Sequence, residues 1–292
     1  MANVYTKGSI SERTLLVHLT INKWAGKKSN KDQSRKVALK NNASADACTL
    51  VINLIGGDHL KPINRAADEA YRVFKTESLP MYDGGWRVIP SDIFLEFQGR
   101  VKACIDVYNQ RVEEFLEKYP SLIEKAGGVE RLGEFAKDTV LPSVSDIRNR
   151  FAITVQVMPM ANTTDFRVRM MDDDLDEVRK EVEATVKASM QESVKELYKR
   201  FADLVTKVQT TMEEPDKQFK VVIIDKLRDF VRRLPLMNIA GDPVLDELCK
   251  DAEKTLVNID GEQMRTDPKA RKQVAKDAKA IVKKLDAFFP VR

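Results

Sequence analysis

Imidazoles, thiols and long apolar runs are all scarce in this sequence, and each scarcity argues against a class of function. Two histidines, His18 and His59, are available as general bases or metal ligands. His18 falls in a strand pattern, opposite the apolar face. His59 follows Asp58 at a helix start. Both read as structural or surface groups. The three cysteines, Cys48, Cys104 and Cys249, are odd in number, far apart and without a CxxC or Cys/His neighbour. They read as reduced thiols rather than as a disulfide framework or a zinc set. No run approaches ~18 consecutive apolar residues, so no membrane span is expected. Met1 to Glu12 has no apolar stretch behind a basic start, which makes the cytoplasm the expected compartment.

Catalytic signatures are missing too. GxGxxG, GxSxG and HExxH do not occur. Gly26-Lys27-Lys28-Ser29 resembles only the tail of a phosphate-binding loop. Ile21 stands where the first glycine is required, and Lys28 intervenes before the serine. Asp172, Asp173 and Asp174 form an acidic cluster, but acids in the first turn of a helix are explained by the helix dipole without a metal ion. The expectation is a non-enzyme with no catalytic, cofactor or metal residues.

What is present is charge, unevenly placed. The net charge is only +4, yet residues 1–65 carry a balance of +7 and residues 264–292 one of +6, leaving −9 between them. Basic ends around an acidic centre suit either a polyanion surface or self-association, with ends meeting the middles of neighbours.

Periodicity predicts an α+β protein. Leu15, Val17, Leu19 and Ile21 alternate as a strand. Lys27 to Lys40 reads as a loop entering a short helix near Asp32, and Ala45 to Ile55 as an apolar helix stopped by Gly56-Gly57. A helix follows Asp58. Asp83-Gly84-Gly85 signals a tight turn before a short strand over Trp86 to Ile89. Ser91 starts a long helix expected to end near Tyr119-Pro120. Phe151 to Met158 is the clearest strand, and Phe166, Val168 and Met170 suggest a hairpin partner. From Asp172 to about Met212 an apolar step near 3.7 predicts one helix roughly 60 Å long. Further helices are expected over Phe219 to Leu234, from Asp242-Pro243, and from Asp267-Pro268. The expected architecture is mostly helical, with a small antiparallel sheet of about four strands in the N-terminal half and an all-α, long-helix C-terminal half. The expected division is residues 10–170 and 171–292, with a soft boundary.

One segment proposes a ligand. Residues 22–40 hold Lys23, Lys27, Lys28, Lys31, Arg35, Lys36 and Lys40 against a single acid, Asp32, with Trp24 among them. Lysines neutralise phosphates and an indole stacks on a base, which is the minimal equipment for single-stranded nucleic acid. Trp86 with Arg87, and the pair Arg167 and Arg169, would extend that surface. The bland alternative is a solvated loop with both tryptophans in the core. The last helix is also rich in lysine and thin in bulky apolar residues, which suits a docked helix with a basic outer face, a polyanion contact or a subunit contact with the acidic middle better than a membrane.

Residues 15–170 also resemble a family from phages and bacterial mobile elements known as a domain of unknown function. The resemblance is carried by Leu19-Thr20-Ile21-Asn22-Lys23-Trp24, by Leu79-Pro80 with Asp83, Gly85, Arg87 and Ile89-Pro90, and by Tyr119-Pro120-Ser121-Leu122. It continues through Asp146-Ile147-Arg148 and through Pro159 with Asp165-Phe166-Arg167. Met81 departs from the pattern, where members usually have tryptophan. No activity comes with this resemblance. It implies genes placed among recombination genes, sometimes beside MoxR-type AAA+ ATPases and von Willebrand A-domain proteins. The expected function is a non-enzymatic phage-type nucleic-acid-binding accessory protein of recombination or replication, favouring single strands, in the cytoplasm of an infected or element-carrying bacterial cell. The alternatives are an oligomeric structural or assembly protein, an adaptor of an AAA+ ATPase, and an inhibitor of a host defence protein.

Overall fold

The computed structural model describes residues 10–127, 132–136, 139, 141–160, 172–213, 222–257, 264 and 267–288. The expected strand over 166–170, with Arg167 and Arg169, lies outside these residues. So do the side chains of Asp172, Asp173 and Asp174.

Chain contacts group the protein into two units that interleave in sequence. One comprises Met1–His18, Glu77–Leu95 and Val157–Arg292; the other comprises Leu19–Thr76 and Glu96–Gln156. The segments around residues 14–18 and 79–90 group with the C-terminal helices rather than with their sequence neighbours.

The fold is α+β. Its main sheet contains β1 (Thr14–Asn22), β4 (Leu79–Pro80), β5 (Arg87–Pro90) and β6 (Ala152–Pro159), in the order β4-β5-β1-β6 and antiparallel. In the first unit Thr14 pairs with Pro90, Val17 with Arg87, and Leu79 with Val88. β4 and β5 are joined by the tight turn that Asp83-Gly84-Gly85 predicts, and Gly84 takes a positive φ of 74° that other residues rarely adopt.

The helices of the first unit are α1 (Ile10–Arg13), α6 (Asp172–Glu213), α7 (Val222–Met237), α8 (Pro243–Ala252) and α9 (Pro268–Phe288), with a π turn at Glu253–Val257. The helical periods read from sequence bury in part: Val186, Met190, Val194 and Leu204 of α6 are only half-buried, and Phe288 of α9 is exposed. Leu197, Phe201, Val205 and Val208 of α6, Ile224, Leu227, Val231 and Leu234 of α7, and Val274, Ala278, Ile281 and Leu285 of α9 all join one core with Leu16, Leu79 and Val88 of the sheet. The expected stop at Pro235 is displaced, and α7 runs on to Met237. Asn238 then ties this end to α8. Its Nδ2 donates to the Asp242 carbonyl and to Asp246 Oδ1, both at 2.9 Å, and its Oδ1 accepts from Asp242 N at 2.9 Å. Asn238→Ala is expected to cost about 2–3 kcal/mol, because a nearly buried junction loses three hydrogen bonds at once. Thermal denaturation checks this, and an unchanged midpoint would show that water replaces the amide.

The second unit contains α2 (Lys31–Lys40), α3 (Lys61–Glu77 as far as Thr76), most of α4 (Ser91–Gly127) and α5 (Val144–Arg148). It also has a two-stranded antiparallel sheet of β2 (Lys27–Asn30) and β3 (Leu50–Asn53). Two segments of this unit depart from the periodicity expectations. Ala45 to Ile55 is not a helix: Leu50–Asn53 is a strand, because β2 offers it a ladder and a short apolar run does not distinguish the two conformations by period. Secondly, α4 passes through Pro120 to Gly127 instead of ending there. A proline inside a helix costs about 3 kcal/mol. Buried Phe115, Leu116 and Tyr119 hold this turn, and Tyr119 Oη donates to the Pro142 carbonyl at 3.0 Å.

Candidate nucleic-acid interface

The basic segment of the second unit is a built surface, not a free loop. Gly26 opens it at φ +66°, where a Cβ would sit 3.0 Å from Ile55 Cγ1 and 3.1 Å from Leu60 Cδ1, so only glycine fits the turn. Its carbonyl accepts from Leu54 N at 2.8 Å. β2 then pairs Lys27 with Asn53 and Lys28 with Ile52. Asn30 caps α2, with its side chain accepting from Gln33 N at 3.0 Å. Ser34 is buried and fastens α2 on both sides: its hydroxyl donates to the Asn30 carbonyl at 2.5 Å and accepts from Leu50 N at 2.8 Å.

This framework presents the cations outward. Lys23, Lys27, Lys28, Lys31, Arg35, Lys36 and Lys40 are all exposed. Lys31 and Arg35 stand one helical turn apart, as do Lys36 and Lys40. Lys23 lies 3.8 Å from Asp68, a surface pair worth little in water. Exposed Val37, Leu39 and Val51 share this region, with Leu39 59% exposed. Sequence reading missed the part played by β2, because Lys-Lys-Ser-Asn carries no hydrophobic alternation to mark a strand. The turn glycine before it is the available signal.

Two expected contact residues belong elsewhere. Trp24 is 4% exposed and packs at 5.6 Å, edge-on, against Tyr119 and at 6.1 Å against Phe115. Its ring is part of the core, so it does not offer a face for a base. Arg87 lies in the first unit and is half-buried. Its Nε donates to Ser78 Oγ at 2.8 Å and its Nη2 to the Ser78 carbonyl at 2.6 Å. That fork is an internal clamp, not a phosphate contact. The Trp86 ring meets His18 at 5.1 Å, tilted by 39°, and His18 Nε2 lies 3.0 Å from the Gly84 carbonyl. Arg167 and Arg169 lie outside the described residues.

Titratable groups in the cores serve packing. Burial pushes the Cys249 thiol up to about 11, and its Sγ donates to the Val231 carbonyl at 3.3 Å. Burial likewise pushes Tyr108 and Tyr119 up to about 12, and both donate to backbone carbonyls. Among the described residues no group of three or more His, Cys, Asp or Glu side chains is placed to hold a metal ion. Among them, too, no helix is long and apolar enough to cross a membrane.

The profile of the family described as a protein of unknown function (DUF3150) matches residues 11–219. No curated protein and no solved structure matches the chain. The match extends beyond the residues that carry the resemblance and takes in α6, so the long helix is a family element rather than an appended domain. Because it covers more than two thirds of the 292 residues, the chain belongs to this DUF3150 family of proteins of unknown function.

Proposed function

We propose that the protein is a non-enzymatic nucleic-acid-binding accessory protein that holds the sugar–phosphate backbone through the exposed cations of β2 and α2. The observation that carries this reading is the presentation of exposed Lys27, Lys28, Lys31, Arg35 and Lys36 on one hydrogen-bonded scaffold, in a stretch (22–40) whose one acid by sequence is Asp32. A fixed array of lysines binds by displacing counterions, so binding tolerates sequence and weakens steeply with salt. The setting, recombination or replication in a phage or mobile element with an AAA+ ATPase among the expected partners, is drawn from the resemblance alone. With Trp24 inside the core, base stacking by that ring no longer supports a preference for single strands. Duplex and single strand of equal length are expected to compete on similar terms.

The test is fluorescence anisotropy with labelled DNA of about 30 nucleotides across a salt series. The variant K27E/K28E/K31E/R35E/K36E is expected to flatten the plot of log K against log salt by up to about 3.5 units on single strands, and to weaken binding at least ~100-fold at low salt. Unchanged binding by this variant, or no binding by the unaltered protein to DNA or RNA, defeats the reading.

A further inference from the structure

A second concentration of positive charge lies in the first unit, on α9. At 3.6 residues per turn, Lys269, Lys272, Lys276, Lys279 and Lys283 fall within roughly 80° of the helix circumference. All five are exposed. Val274, Ala278, Ile281 and Leu285 occupy the opposite side and are buried, so docking of the helix itself turns the lysine stripe to solvent. At 1.5 Å per residue the stripe is about 21 Å long. The nearest acids on α9 flank this arc rather than enter it. Asp277 accepts from Gln273 Nε2 at 2.9 Å, and Asp286 lies on the other side.

The first turn of α9 is held in place. Arg271 Nη2 donates to the Thr211 carbonyl at 3.0 Å, satisfying one of the last carbonyls of α6. Beside this contact lies an open groove of about 640 Å³. Met212 and Ala275 line it with apolar surface, Lys272, Lys276 and Lys279 supply positive charge, and Glu213 supplies one carboxylate.

We propose that the α9 stripe and its groove form a second phosphate-contacting surface, which takes the backbone of a nucleic acid strand. The proposal rests on the functional reading above but on different residues in the other unit. Charge of one sign, repeated along a straight helix, matches a polymer whose charge repeats regularly whatever its sequence. Each lysine acts as a point charge that takes phosphate without a fixed geometry, so a stripe of five follows a backbone in any register and at any sequence.

The experiment uses the full chain and labelled oligothymidylate of about 30 nucleotides. K272E/K276E/K279E is expected to flatten the salt dependence by about 2 units and to weaken binding about tenfold or more at low salt. Its melting midpoint should stay unchanged, because the three side chains are exposed. K272A/K276A/K279A gives the same readout should charge reversal disturb the fold. Wild-type affinity and salt dependence in a folded α9 variant would overturn the proposal. So would a variant that binds DNA normally but loses low-salt self-association in sedimentation, since the stripe would then serve a second copy of the chain. If the β2–α2 variant loses binding and the α9 variant does not, only this inference fails. The converse removes the β2–α2 reading alone, and an unaltered protein that binds no nucleic acid removes both.

Discussion

Replacing Trp24 with alanine is expected to destabilise the second unit by about 3–5 kcal/mol, the usual cost of emptying a buried aromatic site. The indole is 4% exposed and fills the space between Phe115 and Tyr119, next to the turn at Gly26. Nothing small replaces it, and the cavity borders the segment that presents Lys27 and Lys28. Folded proteins are stable by only about 5–15 kcal/mol, so a loss of this size is a large fraction of the whole. A fall of roughly 10 °C in the melting midpoint is expected. Trp24→Phe is the informative partner. The indole nitrogen has no hydrogen-bond acceptor among the described residues, so phenylalanine removes an unsatisfied donor while keeping most of the ring. It should cost about 1–2 kcal/mol at most. Differential scanning calorimetry with anisotropy on the same samples separates stability from binding. If Trp24→Ala keeps the wild-type midpoint and loses DNA binding, the ring acts at the surface and its assignment to the core is wrong.

Arg87→Ala should cost about 2–4 kcal/mol in the first unit, again without a selective effect on ligand binding. Ser78 is completely buried, and Arg87 donates to both its hydroxyl and its carbonyl. Arg200 Nη2 donates to the same carbonyl at 3.1 Å while its Nε donates to Glu196 at 3.0 Å. Burial lowers the pKa of Arg200, with Glu196 opposing that shift, so this is a desolvated guanidinium held by its partners. Arg233 and Glu77 meet at 3.2 Å next in sequence to Ser78, with Glu77 8% exposed. Deleting the Arg87 guanidinium takes a donor from the buried Ser78 hydroxyl and leaves the Ser78 carbonyl with Arg200, which costs more than the net worth of the bonds when made. Arg87→Lys is expected to recover little, because an ammonium does not reproduce the planar fork that spans hydroxyl and carbonyl. Chemical denaturation of the three proteins checks this. Full stability in Arg87→Lys would mean that charge alone, and not the fork, holds the Ser78 corner.

Both predictions concern residues that look like contacts for a ligand when only their neighbours in sequence are considered. Trp24 stands between Lys23 and Lys27, and Arg87 follows Trp86. Local composition assigns them to a surface. Partners 91 and 95 residues away place Trp24 in the core, and Ser78 turns Arg87 inward. The lysines are different, because an unpaired charge is rarely buried. Their exposure could be expected from sequence, and the structure adds the scaffold that fixes their spacing.

Periodicity alone determined the long helices. A stripe at a step near 3.7 marks α6, and Asp-Pro pairs mark the starts of α8 and α9, because capping and one-sided burial are local properties. The strand alternation of β1 and β6 was legible for the same reason. Tertiary structure alone decided that Leu50–Asn53 pairs as a strand, that α4 continues through Pro120, and that residues 14–18 and 79–90 group with the C-terminal helices. Each depends on a partner distant in the chain, whose hydrogen bonds or buried area outweigh a local preference of at most a few kcal/mol.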